Sequence, residues 1–215
     1  PLWLIMLASV FQSAVIVALA VWGGTALAPA LGLHAPAFEA AASHRPIVPA
    51  LKPQILPGTI GGVAAGILLF SSLRLSPPAI AGMQAQFTPP LYARMLYGGI
   101  TEEVLLRWGL MTVFTWLAWR FIQGKRGAVR PGLVWLGIVT SALLFGVGHL
   151  PVASYLVGSL TGAVVFFVVG VNAAFGLLFG WLYYRRGLES AMIAHAVTHL
   201  VSHAATQLAG SVGTV

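Results

Sequence analysis

GGITEEVLLRWGLM, residues 98–111, sets two adjacent glutamates, Glu102 and Glu103, and an arginine, Arg107, inside an apolar run. Read outward in both directions, the run extends over about 91–122, beyond the roughly 20 mostly apolar residues that a membrane-spanning helix needs. A charge at the bilayer centre costs at least about 2.5–3.5 kcal/mol on insertion scales, and ionisable residues in a spanning segment point by default to a functional site. On a helix, Glu103 and Arg107 stand four apart on one face and can pair; that pair also serves simply to lock helices together. Glu102 points about 100° away, and no local partner accounts for it.

The rest of the chain has the same character. Hydrophobic residues make up 59% and charged residues 7% of 215, against about 45–50% and about 25% in ordinary soluble domains. Lipid must therefore cover much of the surface. The length allows one domain, 1–215, and the fold class is an all-α polytopic transmembrane bundle of about six spans. The expected spans are 2–28, 55–73, 91–122, 132–149, 163–184 and 190–209. Ala26-Leu27-Ala28 looks like a leader cleavage site, but no basic residue precedes the apolar run, so the segment reads as a first span. A Pro- and His-containing loop is expected over 32–53, and Pro77-Pro78 and Pro89-Pro90 break the chain between the second and third spans. Residues 150–162, apolar but interrupted by Gly158 and Gly162, suit a half-helix or re-entrant segment. No internal repeat is visible.

The net charge is +7 and the sequence pI about 10.6. The basic residues sit at the ends of apolar runs, with no Lys/Arg stripe interleaved with aromatics, so nucleic acid is not the expected partner. With Lys125, Arg126 and Arg130 in the cytoplasm, the alternation of spans puts Arg45, Lys52, Arg120, Arg185 and Arg186 on the same side and Arg74 and Arg94 on the other. That distribution, eight against two, supports the orientation with both ends of the chain outside. The absence of cysteine excludes disulfides, thiolate nucleophiles and Cys-ligated metals.

Three histidines sharpen the functional reading. His149 closes the fourth span in FGVGHLP, and His195 and His199 share a face of the sixth in AHAVTHL. A lone His in an apolar helix is usually a satisfied core residue; three beside an intramembrane carboxylate are less easily explained that way. His203 continues the face near the helix end as a supporting residue, and His34 and His44 lie in a loop. One chemistry that needs a carboxylate and imidazoles is activation of water for attack on a carbonyl, with imidazole N–H groups stabilising the oxyanion. Another is zinc, held by His149, His195, His199 and Glu102, although HAVTH lacks the internal glutamate of the HExxH signature. No GxSxG element suggests a serine nucleophile, and Ser202 gains no role from lying near the histidines in sequence.

Together Glu102-Glu103-xxx-Arg107, Phe145-xxx-His149 and His195-xxx-His199 resemble the CAAX protease and bacteriocin-processing (Abi) family of intramembrane glutamic endopeptidases, which includes the Ras-converting CAAX endopeptidase. The resemblance covers about 90–205, with the motifs in order on separate spans. It implies a multi-pass protein of a prokaryotic cytoplasmic membrane that cleaves a membrane-associated peptide or protein, with the bilayer as its other partner and no required cofactor. By position it implies Glu102 as general base, His149 sharing the activated water, His195 and His199 at the oxyanion, and Glu103 and Arg107 in support. The family usually has Asn or Asp at the position of His199. That departure adds a third imidazole and keeps the zinc alternative open. Family members described as immunity or scaffold proteins keep a non-proteolytic role open, and an intramembrane relay would suit a transporter, though no paired broken helices support that.

Overall fold

The computed structural model describes residues 1–86 and 88–212, and among them the chain is helical with no strand. Helix α1 (Leu2–Leu31) ends at Gly32, whose left-handed φ of 67° lets its amide cap the last turn. A short α2 (Pro36–Ala42) starts on a proline, which has no N–H to lose at the first helical position. Helix α3 (Ile47–Arg74) then begins well before the expected 55. Much of the expected 32–53 loop is therefore helical, and Pro53 lies inside α3, as Pro57 does, rather than ahead of it. Prolines are tolerated in spanning helices where neighbours re-satisfy the freed backbone groups. Helix α4 (Pro78–Gln86) follows, between the two proline pairs.

The glutamate-bearing span runs without interruption over 91–121 but changes pitch. It starts as α5 (Leu91–Leu96), widens into π1 (Tyr97–Glu102), and passes through Glu103 into a second π segment, π2 (Val104–Met111). It tightens again as α6 (Thr112–Phe121). π-helical turns are rare and recur at functional sites; here they hold the whole EExxxR element. Helix α7 (Pro131–Gly148) ends at His149, and α8 (Leu150–Val157) is the short segment expected there, stopped at Gly158 with φ 77°. Helices α9 (Gly162–Arg186) and α10 (Leu188–Val212) complete the chain.

Among the described residues four helical stretches are long and apolar enough to cross a membrane: Leu2–Leu31, Ile47–Arg74, Pro131–Val157 and Gly162–Arg186. The 91–121 helix and α10 carry the ionisable residues and pack within the bundle. Large apolar side chains on α1, such as Trp3, Phe11 and Trp22, face outward, as expected of surface that lipid covers. The chain is a multi-pass helical membrane protein.

Close helix contact sets the height of the site. Gly58, Gly62 and Gly66 line one face of α3, and a Cβ on them would lie 2.8, 2.6 and 3.0 Å from the α10 carbonyls of Ser190, Ala194 and Thr198. The small-residue pattern in GGVAAG thus packs helices within this chain. On the other side, a Cβ at Gly146 would lie 2.6 Å from the Val169 carbonyl, and one at Gly176 would lie 2.7 Å from Ala142 Cα, so α7 and α9 run equally close. At one end of the bundle, Leu188 donates to the His34 carbonyl over 3.0 Å, and Glu189 accepts from the amides of Ala37 and Phe38 at 2.7 and 3.0 Å. The first and last interhelical connections therefore meet, and charge alternation places these two on the same side.

Candidate active site

The expected site residues converge. Glu102 from π1, His149 from the α7–α8 joint, and His195 and His199 from α10 line one cavity of about 500 Å³. Glu103 and Arg107 form its support. Glu103 is fully buried, and its two oxygens reach two partners: Oε2 lies 3.3 Å from Arg107 Nε, and Oε1 lies 2.8 Å from His195 Nδ1. The expected Glu103–Arg107 pair is thus one half of a longer chain, Arg107–Glu103–His195. Arg107 also donates to the Gly176 carbonyl over 3.2 Å and lies over the rings of Phe145 and Phe179, 5.2 and 5.6 Å from their centroids. The same Phe179 ring stacks on His195 at 4.8 Å. A buried guanidinium, carboxylate and imidazole are each costly alone and tolerable as a network.

The hydrogen bonds fix the proton positions. A backbone carbonyl only accepts, so the 2.8 Å contact of His149 Nδ1 with the Phe145 carbonyl puts the proton on Nδ1 and leaves Nε2 as a free base. Glu103 likewise holds a proton on His195 Nδ1. His195 Nε2 lies 3.8 Å from Glu102 Oε2. Gly98 makes room for this arrangement: a Cβ there would lie 2.8 Å from His195 Nε2 and 3.1 Å from His199 Nε2. Both imidazoles therefore turn the same nitrogen toward one spot. His203, the next on that face, instead lies by Arg94, with its Nδ1 3.4 Å from the arginine's Nη2.

Glu102 and His149 also line a second cavity, of about 750 Å³, enclosed by α1, π2 and the α7–α8 region. Its walls are apolar: Ile16, Leu19, Leu106, Leu110, Leu144 and Val152. Pro89, Tyr97, Glu102, Phe145 and His149 belong to both cavities. Among the described residues no three His, Asp or Glu side chains are placed so as to hold one metal ion. His195 and His149 each have one ring nitrogen committed to a protein acceptor.

Three cavity residues escape a reading of the sequence. Arg94 looks like a charge at the end of a span, and Gly98 like a packing residue. Asn172, the chain's one asparagine, stands in an apolar run of α9 and lines the first cavity with its Nδ2 on the Val168 carbonyl at 2.8 Å. Its being the lone amide in that run was the available signal.

Fold and cavity together define a class: a multi-pass helical protein with carboxylates and imidazoles facing one intramembrane cavity. Residues 84–201, more than half of the chain, match the family described as type II CAAX prenyl endopeptidase Rce1-like, and the chain belongs to that family. No curated protein and no solved structure matches it.

Proposed function

We propose that the protein is an intramembrane endopeptidase of a prokaryotic cytoplasmic membrane, hydrolysing a peptide bond in a membrane-associated, prenylated substrate. The observation that carries this reading is the position of Glu102 and His149 in the wall shared by two largely apolar cavities, of which only the first also holds Arg94, Asn172, His195 and His199. A lipid-bearing peptide suits such a pair. Its isoprenoid chain fits the second cavity and its peptide the first, where the hydrogen-bonding side chains stand, with the bond to be cut at the junction.

Glu102 and the free Nε2 of His149 hold a water, and Glu102 takes its proton as the oxygen attacks the carbonyl carbon. The oxyanion formed accepts from Nε2–H of His195 and from His199. Because His195 Nδ1–H is held by Glu103, a donating Nε2 requires the imidazolium, and Glu103 supplies the counter-charge. Arg107 stands 3.3 Å from the other oxygen of Glu103 and holds that carboxylate in place. When the C–N bond breaks, the proton on Glu102 passes to the leaving amine. No covalent intermediate is needed. Zinc bound by His149, His195, His199 and Glu102 is the alternative route, and the metal analysis below decides between the two.

The test is cleavage of a farnesylated peptide by detergent-purified protein, with and without chelator, beside metal analysis. Glu102→Gln and His149→Ala are expected to lower the rate by about 10²–10⁴-fold, the usual contribution of general acid–base groups, with helical content unchanged. Normal turnover by a folded Glu102→Gln protein would sink the mechanism. Stoichiometric zinc with activity lost on chelation would replace it by the metal route, and solute flux in liposomes without cleavage would favour a transporter.

A further inference from the structure

Arg94 is a cation in the reaction cavity with no acid beside it. Its side chain lines the same walls as Glu102, His149, His195 and His199. Among the described residues the ion pairs are His34–Glu39, Arg107–Glu103 and the contacts of His195 with both site glutamates; none includes Arg94. Its Nη2 meets His203, and its Nε is buried with no hydrogen-bond partner. Arg107, the arginine buried beside the site, has a carboxylate, a carbonyl and two aromatic faces. A guanidinium presents a planar fork of donors that matches a carboxylate. Arg94, partly buried in the cavity wall, has none among the described residues.

Position gives the missing acid a place. Arg94 precedes Glu102 by eight residues on one continuous helix, which puts their backbones at most about 12 Å apart along the axis at about 1.5 Å per α-helical residue, the π turns rising less. An extended peptide covers that distance in about three or four residues at about 3.3–3.6 Å each. Resting on the peptidase reading above, we propose that Arg94 binds the free C-terminal carboxylate of the substrate, so that the bond at Glu102 and His149 is cut a few residues from the substrate's end. Arg94 then acts as a specificity-determining residue. His203, on its far side, accepts from the guanidinium and holds it toward the cavity. The other chemistry that a guanidinium selects at a membrane is a lipid phosphate, and the experiment separates the two.

The experiment compares a farnesylated peptide ending in a free acid with the same peptide ending in an amide. Wild-type protein is expected to cleave the acid with kcat/KM at least about tenfold above the amide, the worth of a charge-assisted hydrogen bond. Arg94→Gln is expected to lose that factor on the acid and nothing on the amide, so that the two substrates become equal, while Arg94→Lys keeps part of the preference. Equal cleavage of acid and amide by wild-type protein would overturn the proposal. So would an equal loss on both substrates in Arg94→Gln, as expected for a lipid-phosphate or folding role. Binding of the two peptides to Glu102→Gln protein is the second measurement and needs no turnover. A preference for the acid there that disappears in the Arg94→Gln, Glu102→Gln double variant supports the carboxylate site even if the peptidase reading fails. No preference in binding would overturn it independently.

Discussion

Two buried carboxylate networks, at different heights in the bundle, are satisfied in different ways. Near one end, Glu189 is held by backbone amides of Ala37 and Phe38. Those donors cannot titrate, so Glu189 is a fixed strut between α2 and α10. Deeper in the bundle, Glu103 is held by Arg107 and His195. One of these partners is an imidazole that faces the cavity, so the charge on Glu103 shapes what His195 can do. The same side chain is a fastener in one place and an electrostatic element in the other, and the chemistry of its partners makes the difference.

Breaking the deep network should cost most. Glu103→Gln leaves Arg107 buried without its counter-charge, and losing one partner of a buried pair typically costs about 3–5 kcal/mol. Thermal denaturation in detergent should show that loss, with cleavage abolished in whatever protein stays folded. An intermediate effect is expected of Gly98→Ala. Its methyl would lie 2.8 Å from His195 Nε2, while Glu103 prevents the imidazole from retreating. Overpacking of this kind costs about 1–3 kcal/mol, and cleavage should fall further than stability. Unchanged turnover in that variant would show that the two imidazoles need not share their present spacing. Glu189→Gln should do least: an amide oxygen still accepts from α2, so about 1–2 kcal/mol of stability is lost with the charge-assisted bonds. Turnover per folded molecule should be unaffected. A catalytic defect there would dissolve the distinction between the two networks.

How much of this was legible in the sequence depended on distance along the chain. The Glu103–Arg107 pair is four residues long, and helical geometry alone predicts it. The Glu103–His195 bond joins residues 92 apart, and no periodicity reports it; only the shared expense of intramembrane charge hinted that the two motifs belong together. Glu102 was recognisable by its lack of a local partner, and it is the carboxylate that faces the cavities. Arg94 was read as a topological signal, as a basic residue near a span end ordinarily is, and its place in the cavity wall had no mark in the sequence. The 32–53 stretch was taken for a loop on its prolines, which obey a stricter rule in water than in a bundle where neighbours supply the lost hydrogen bonds. The π-helical pitch of the EExxxR element has no sequence signature that was available to read.

The glycines of α3 recur at 58, 62 and 66, and the histidines of α10 recur at 195, 199 and 203. Both ladders have the same four-residue step, so the α3–α10 contact is nearly degenerate in register. Sliding α10 by one turn, about 6 Å at about 1.5 Å per residue, would again place glycine faces against carbonyls and would bring a histidine opposite Glu103. It would be the wrong histidine. What removes the degeneracy lies at the end of the helix, where Leu188 is tied to the His34 carbonyl and Glu189 caps α2. Those bonds admit one position and act as an end stop for a ratchet. The residue that looks most purely structural thereby decides which imidazole Glu103 holds.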